Sequence, residues 1–125
     1  MLNSQLIRVL IVDDHATFRN TLAQVLSLSP DIQLVGQAAD GEGIVDLCAQ
    51  LRPDVVLMDV VMRKVGGIEA THQLHSHFPG IKVIILSGFQ HEELMDKALE
   101  AGAVNYLIKN FLLAEVANAI RAAMR

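Results

Sequence analysis

Asp13 and Asp14 are neighbouring acids at the close of the apolar run IRVLIVD (7–13). Ionised side by side they repel, so a cation is needed to hold them. A third acid, Asp59, closes a second apolar run, DVVLMD (54–59), while Ser87 closes KVIILS (82–87) and Lys109 closes AVNYLIK (103–109). Three carboxylates brought together make a hard-oxygen site suited to Mg²⁺, a cation that keeps some of its waters and often bridges to phosphate oxygens. A lysine beside them supplies a point charge for the anion the metal attracts, and a serine hydroxyl serves one of its oxygens. A single acid at a strand end is ordinarily a helix cap or a solvated turn, and Asp14 alone reads that way. Complementary chemistry at the ends of four apolar runs does not.

The pattern between these residues decides whether they can meet. IRVLIVD is rich in β-branched residues, and Phe18, Leu22, Val25 and Leu26 then recur at helical spacing until Pro30. The alternation repeats: IQLVGQAAD (32–40) as a half-buried strand, GIVDLCAQL (43–51) as a helix, DVVLMD as a buried strand, and GIEATHQLHSHF as a helix ended by Pro79-Gly80. KVIILS, the helix HEELMDKALEAG (91–102), AVNYLIK and a last helix with Leu113, Val116, Ala117, Ile120 and Met124 on one face complete the chain. Short apolar strands separated by helices predict a five-stranded parallel sheet covered on both faces, an α/β architecture. In such sheets ligands collect beyond the carboxyl ends of the strands, where the five residues stand.

Composition narrows the functional classes. The 125 residues suit one domain, and 52% apolar with 4% aromatic content means an aliphatic core. A net charge of −4 provides no basic face for nucleic-acid phosphates, so the domain itself is not expected to bind DNA. Cys48 is the only cysteine and shares a helical face with Ile44, Leu47 and Leu51, which predicts burial and precludes an internal disulfide. With no apolar run near the ~20 residues of a membrane span, and no cleavable leader in MLNSQLIRVLIVDD, a cytoplasmic location is expected. His72 and His75 share helical spacing and read as part of a surface helix; His15 and His91 are given no catalytic role.

The segments VDDH (12–15), LMD (57–59), LSG (86–88) and AGAVNYLIK (101–109) together resemble the receiver domain of two-component response regulators over essentially the whole chain. IRVLIVDDH and GGIEATHQL most resemble receivers of the NarL/FixJ type, which usually precede a helix-turn-helix output domain. The resemblance implies a doubly wound sheet of order 2-1-3-4-5, residues 1–125 forming the receiver, and a switch that accepts a phosphoryl group from a sensor histidine kinase or phosphotransfer protein. It implies Asp59 as phosphoacceptor, with Mg²⁺ held by Asp13, Asp14, Asp59 and the backbone carbonyl of Val61. Ser87 and Lys109 would contact the phosphoryl group, and Tyr106 would reorient on activation. Phosphorylation-dependent homodimerisation and control of transcription through an output domain follow from the same likeness. Such a protein is a phosphoacceptor that promotes its own phosphoryl transfer and dephosphorylation, not a turnover enzyme.

The chain departs from the family pattern in three places. Arg63 stands where receivers usually have proline and Gly66 where they have an acid, which predicts a more mobile loop after Asp59. Asn110 replaces the proline that often follows the lysine and is suited to cap the last helix. Val61 and Phe89, at the positions flanking the path of hydrolytic water in receivers, cannot hydrogen-bond a water, which predicts slow dephosphorylation. The alternatives are a stand-alone or phosphorylation-independent receiver acting as an interaction module, and an FMN-binding flavodoxin-like protein. The second would need a hydroxyl- and glycine-rich phosphate loop where Asp13-Asp14 stands. A phosphatase with an aspartate nucleophile would want an acid at Val61, and a Rossmann dinucleotide site would need a glycine fingerprint that is lacking.

Overall fold

In the computed structural model, which describes residues 5–88, 90–109 and 113–125, strands and helices alternate without exception. They run β1 (Ile7–Val12), α1 (Ala16–Leu26), β2 (Ile32–Ala38), α2 (Ile44–Leu51), β3 (Val55–Asp59), α3 (Gly67–His77), β4 (Lys82–Ser87), α4 (Glu92–Ala101), β5 (Asn105–Ile108) and α5 (Leu113–Ala123). Every strand pair is parallel, and the sheet order is β2-β1-β3-β4-β5. This is the five-stranded doubly wound fold expected from the sequence.

Strand periodicity splits the core into two layers. Side chains of successive strand residues point to opposite faces, so Leu10, Val12, Val56, Met58, Val83 and Ile85 belong to one cluster, with Ile44 and Cys48 of α2, Leu74 of α3 and Ala98 of α4. Val9, Ile11, Val55, Leu57, Ile84 and Leu86 belong to the other, with Leu22 and Leu26 of α1 and Val116 and Ile120 of α5. Each fully buried aliphatic side chain contributes about 2 kcal/mol, which fixes the register of the three inner strands and so the positions of their last residues. Cys48 is buried as expected, and burial pushes its thiol up to about 11.

The amino ends of the strands are fastened by one arginine. Arg8 gives its guanidinium to the carbonyls of Leu51 and Arg52, which α2 leaves without helical partners. Its own N–H donates to Asp54 Oδ2 at 2.9 Å. This contact closes the turn in which Arg52 takes a φ of 51°, the only positive value for a non-glycine among the described residues. Phe89 and Asn110, two residues singled out from the sequence, lie outside the described residues.

Candidate functional site

β1 and β3 are neighbours, and their carboxyl ends deliver the acids. Asp59 is the last residue of β3 and Asp13 follows β1 directly. Both are buried, at 4% and 1% exposure, and Asp14 is partly exposed. One ligand atom from each of Asp13, Asp14, His15 and Asp59 lies within 4.8 Å of the others. Lys109, carried past the end of β5, closes the group: its Nζ is 2.8 Å from Asp13 Oδ2 and 3.4 Å from Asp59 Oδ1. The backbone N–H of Lys109 donates to the Ser87 carbonyl at 2.6 Å, so the ends of β4 and β5 are joined at the site.

The electrostatics follow from this crowding. Burial pushes the Asp59 carboxyl above its ordinary range, and the charge of Asp13 adds to the effect, while Lys109 opposes it. Asp14 Oδ1 is buried without an aligned hydrogen-bond donor, although His15 Nδ1 stands 3.1 Å away. A buried carboxylate oxygen left in that state is costly. Three carboxylates and one uncompensated oxygen converging on a single point fit a hard divalent cation, whereas they would repel an anion on its own.

His15 and Phe18, read otherwise from the sequence, also meet here, and so does Arg19. His15 places Nδ1 3.3 Å from Asp13 Oδ1 and 3.8 Å from Asp59 Oδ2, and its backbone N–H donates to Asp13 Oδ1 at 2.8 Å. Its position two residues after Asp13 was the available signal. Phe18, read only as part of an apolar stripe, lies under Lys109 with Nζ 4.4 Å from the ring centroid. Arg19 donates to the Asp13 carbonyl, so the first turn of α1 holds the loop that presents the acids.

The remaining expected residues differ in burial. Ser87 is fully buried at the end of β4. Tyr106 is 8% exposed, in the core cluster that also holds Ile85, Ala98 and Ala103. Val61 turns its side chain outward, at 59% exposure. The loop after Asp59 is tied down despite Arg63 and Gly66: Lys64 and Val65 donate their backbone N–H groups to the Asp40 carboxylate at 2.8 and 2.9 Å.

The arrangement matches a known family. The model of the response regulator receiver domain covers residues 9–121. The chain belongs to the response regulator receiver family. This receiver is 45% identical over 120 residues to the transcriptional regulatory protein LiaR of Bacillus subtilis, covering 96% of the chain and 57% of that protein. Among solved structures, the signal receiver domain of NarL from Mycobacterium tuberculosis superposes with a TM-score of 0.90 at 30% identity, over 96% of this receiver and 98% of that chain. A chain of the CheX–CheY–BeF3–Mg²⁺ complex from Borrelia burgdorferi gives a TM-score of 0.87 at 27% identity, over 95% of this receiver and 90% of that chain. The receiver spans about half the length of the curated relatives it matches. No helix among the described residues is long and apolar enough to cross a membrane.

Proposed function

We propose that this receiver is a phosphorylation-dependent switch in which Asp59 takes a phosphoryl group from a phosphohistidine of a sensor kinase or phosphotransfer protein. The observation that carries the reading is the single lysine from the edge of the sheet touching acids from two other strands, Asp13 at 2.8 Å and Asp59 at 3.4 Å. Asp13, Asp14, Asp59 and the Val61 carbonyl are the groups that would hold Mg²⁺. When bound, the metal neutralises phosphoryl oxygens and orients them for in-line transfer.

The chain's own residues perform the rest. The Asp59 carboxylate attacks phosphorus, an oxygen–phosphorus bond forms, and the donor's nitrogen–phosphorus bond breaks, with the imidazole leaving and taking up a proton. Lys109 turns from its carboxylate partners to the new anion, and Ser87, at the adjoining strand end, contacts one of its oxygens. The added charge of roughly −1.5 to −2 draws the Ser87 loop inward, and Tyr106 follows as the element that reports the change. Homodimerisation and the regulation of transcription through an output domain elsewhere in a longer cytoplasmic protein complete the proposal; LiaR, a transcriptional regulator by name, supports that direction.

Incubation with acetyl phosphate and Mg²⁺ gives one phosphoryl adduct by intact mass, absent in Asp59→Asn and after chelation of the metal. An adduct of equal yield in Asp59→Asn, or without Mg²⁺, overturns the assignment. The phosphorylated form is long-lived, because the exposed Val61 side chain has no group with which to hold a hydrolytic water. Val61→Asn shortens its half-life by up to about tenfold, a change that corresponds to about 1.4 kcal/mol of barrier. A half-life unchanged in that variant removes Val61 from the account.

A further inference from the structure

Asp40 follows β2 in sequence, yet its carboxylate serves the loop between β3 and α3. Oδ1 accepts from its own loop, from Glu42 N–H at 2.9 Å, and from Val65 N–H at 2.9 Å; Oδ2 accepts from Lys64 N–H at 2.8 Å. Burial would push this carboxyl up, but the backbone N–H groups of Lys64, Val65, Glu42 and Gly41 outweigh it and hold it below the usual carboxylate range. The neighbouring Gly41 is buried, and a Cβ there would lie 2.8 Å from Ala70 Cβ and 2.9 Å from the Val65 carbonyl oxygen. The two loops therefore meet at backbone distance, with Asp40 as the fastening. Asp14, Asp40, Arg63 and Lys64 all line one cleft of about 490 Å³.

The fastened loop is the one that carries Val61. At its ends it is held by Val60 N–H to the Leu86 carbonyl at 3.2 Å and by Gly67 N–H to the Val60 carbonyl at 2.9 Å. Between them, among the described residues, its backbone N–H bonds run to Asp40 alone, and the Lys64–Glu42 pair at 3.5 Å is exposed and weak. Arg63 lacks the stiffness that a proline would give and Gly66 adds backbone freedom, so the conformation of the loop is set from outside it.

We infer that Asp40 is a positioning residue for the metal site: by holding Lys64 and Val65 it fixes the loop that presents the Val61 carbonyl beside Asp59. The inference rests on the proposed Mg²⁺ site. Amide exchange of Lys64 and Val65 in chelator reads the fastening without metal, and calorimetric titration with Mg²⁺ reads its consequence. Asp40→Ala speeds exchange at both amides and weakens Mg²⁺ binding, each by about tenfold, as expected for the loss of charge-assisted hydrogen bonds. Asp40→Asn keeps one acceptor oxygen, so Lys64 exchanges faster while Val65 stays protected, and its Mg²⁺ affinity falls between the two. Glu42→Gln, which alters only the exposed pair, leaves both readings at parental values. Mg²⁺ affinity unchanged in Asp40→Ala and Asp40→Asn overturns the inference, as does unchanged exchange at Lys64. A parent that binds no Mg²⁺ overturns the site reading instead, and the inference with it, while the exchange data still report the fastening.

Discussion

Lys109→Met lowers the stability of the metal-free protein by about 3 kcal/mol, whereas Asp59→Asn raises it. The lysine ammonium touches two carboxylates whose side chains are 1% and 5% exposed, and its removal leaves both charges buried and uncompensated. His15 reaches the same acids, but its ring is 70% exposed and any charge on it is screened by water. Asp59→Asn acts in the opposite sense because burial, then the charge of Asp13, raise the Asp59 carboxyl despite Lys109. With a folded pKa above the unfolded value of about 4, ionised Asp59 costs the fold stability at every pH above the folded pKa. That cost disappears as pH falls through the folded pKa to the unfolded one. The advantage of Asp59→Asn is therefore largest at neutral and alkaline pH and is gone near pH ~4. Urea unfolding in chelator across this range measures both effects. Adding Mg²⁺ stabilises Lys109→Met most and Asp59→Asn least; a Lys109→Met protein as stable as the parent sinks the argument.

Two adjacent glycines part company under the same substitution. Gly67→Ala costs about 3 kcal/mol, at the upper end for overpacking, and slows phosphorylation of Asp59. A Cβ at Gly67 would overlap the Asp59 carbonyl oxygen and lie 2.9 Å from Val60 Cα, both backbone atoms of the segment that presents the acid. Relief requires the start of α3 to retreat from the end of β3, which shifts Asp59. Gly66 has φ −68° and ψ 163°, and a Cβ there meets nothing nearer than the Val60 carbonyl at 3.5 Å. Gly66→Ala consequently changes stability by less than about 1 kcal/mol and leaves phosphorylation at the parental rate. Thermal unfolding and the rate of adduct formation distinguish the pair, and equal effects at the two positions would refute the close-approach argument.

The sheet and the acids were legible because they are local. Each inner strand is a largely apolar run that stops at Asp13, Asp59 or Ser87, and the short edge strand ends just before Lys109. What the pattern missed is held together across the chain. Asp40 read as the tail of a strand, and its partners Lys64 and Val65 are 24 and 25 residues away. From local stiffness alone, Arg63 and Gly66 predict a looser loop; the carboxylate that holds it belongs to a different element. Phe18 fits an apolar helical stripe, and nothing in that stripe shows that a lysine from the far end of the chain comes to rest on its ring. His15 had a positional signal, but no periodicity distinguishes a ring facing carboxylates from one facing water.

The strand that delivers Lys109 is the least secured part of the sheet. β5 has four residues and pairs with β4 alone, at the margin of the order β2-β1-β3-β4-β5. Detachment of such a segment takes far less free energy than unfolding the whole domain, and it leaves β1 and β3, with their acids, in place. The ammonium that balances Asp13 and Asp59 is thus delivered by a strand with a single neighbour in the sheet. Its residence at the acids is governed by how tightly that margin is zipped, so a partner that grips or loosens the β5 edge would alter the charge balance at Asp59 without touching the acids themselves.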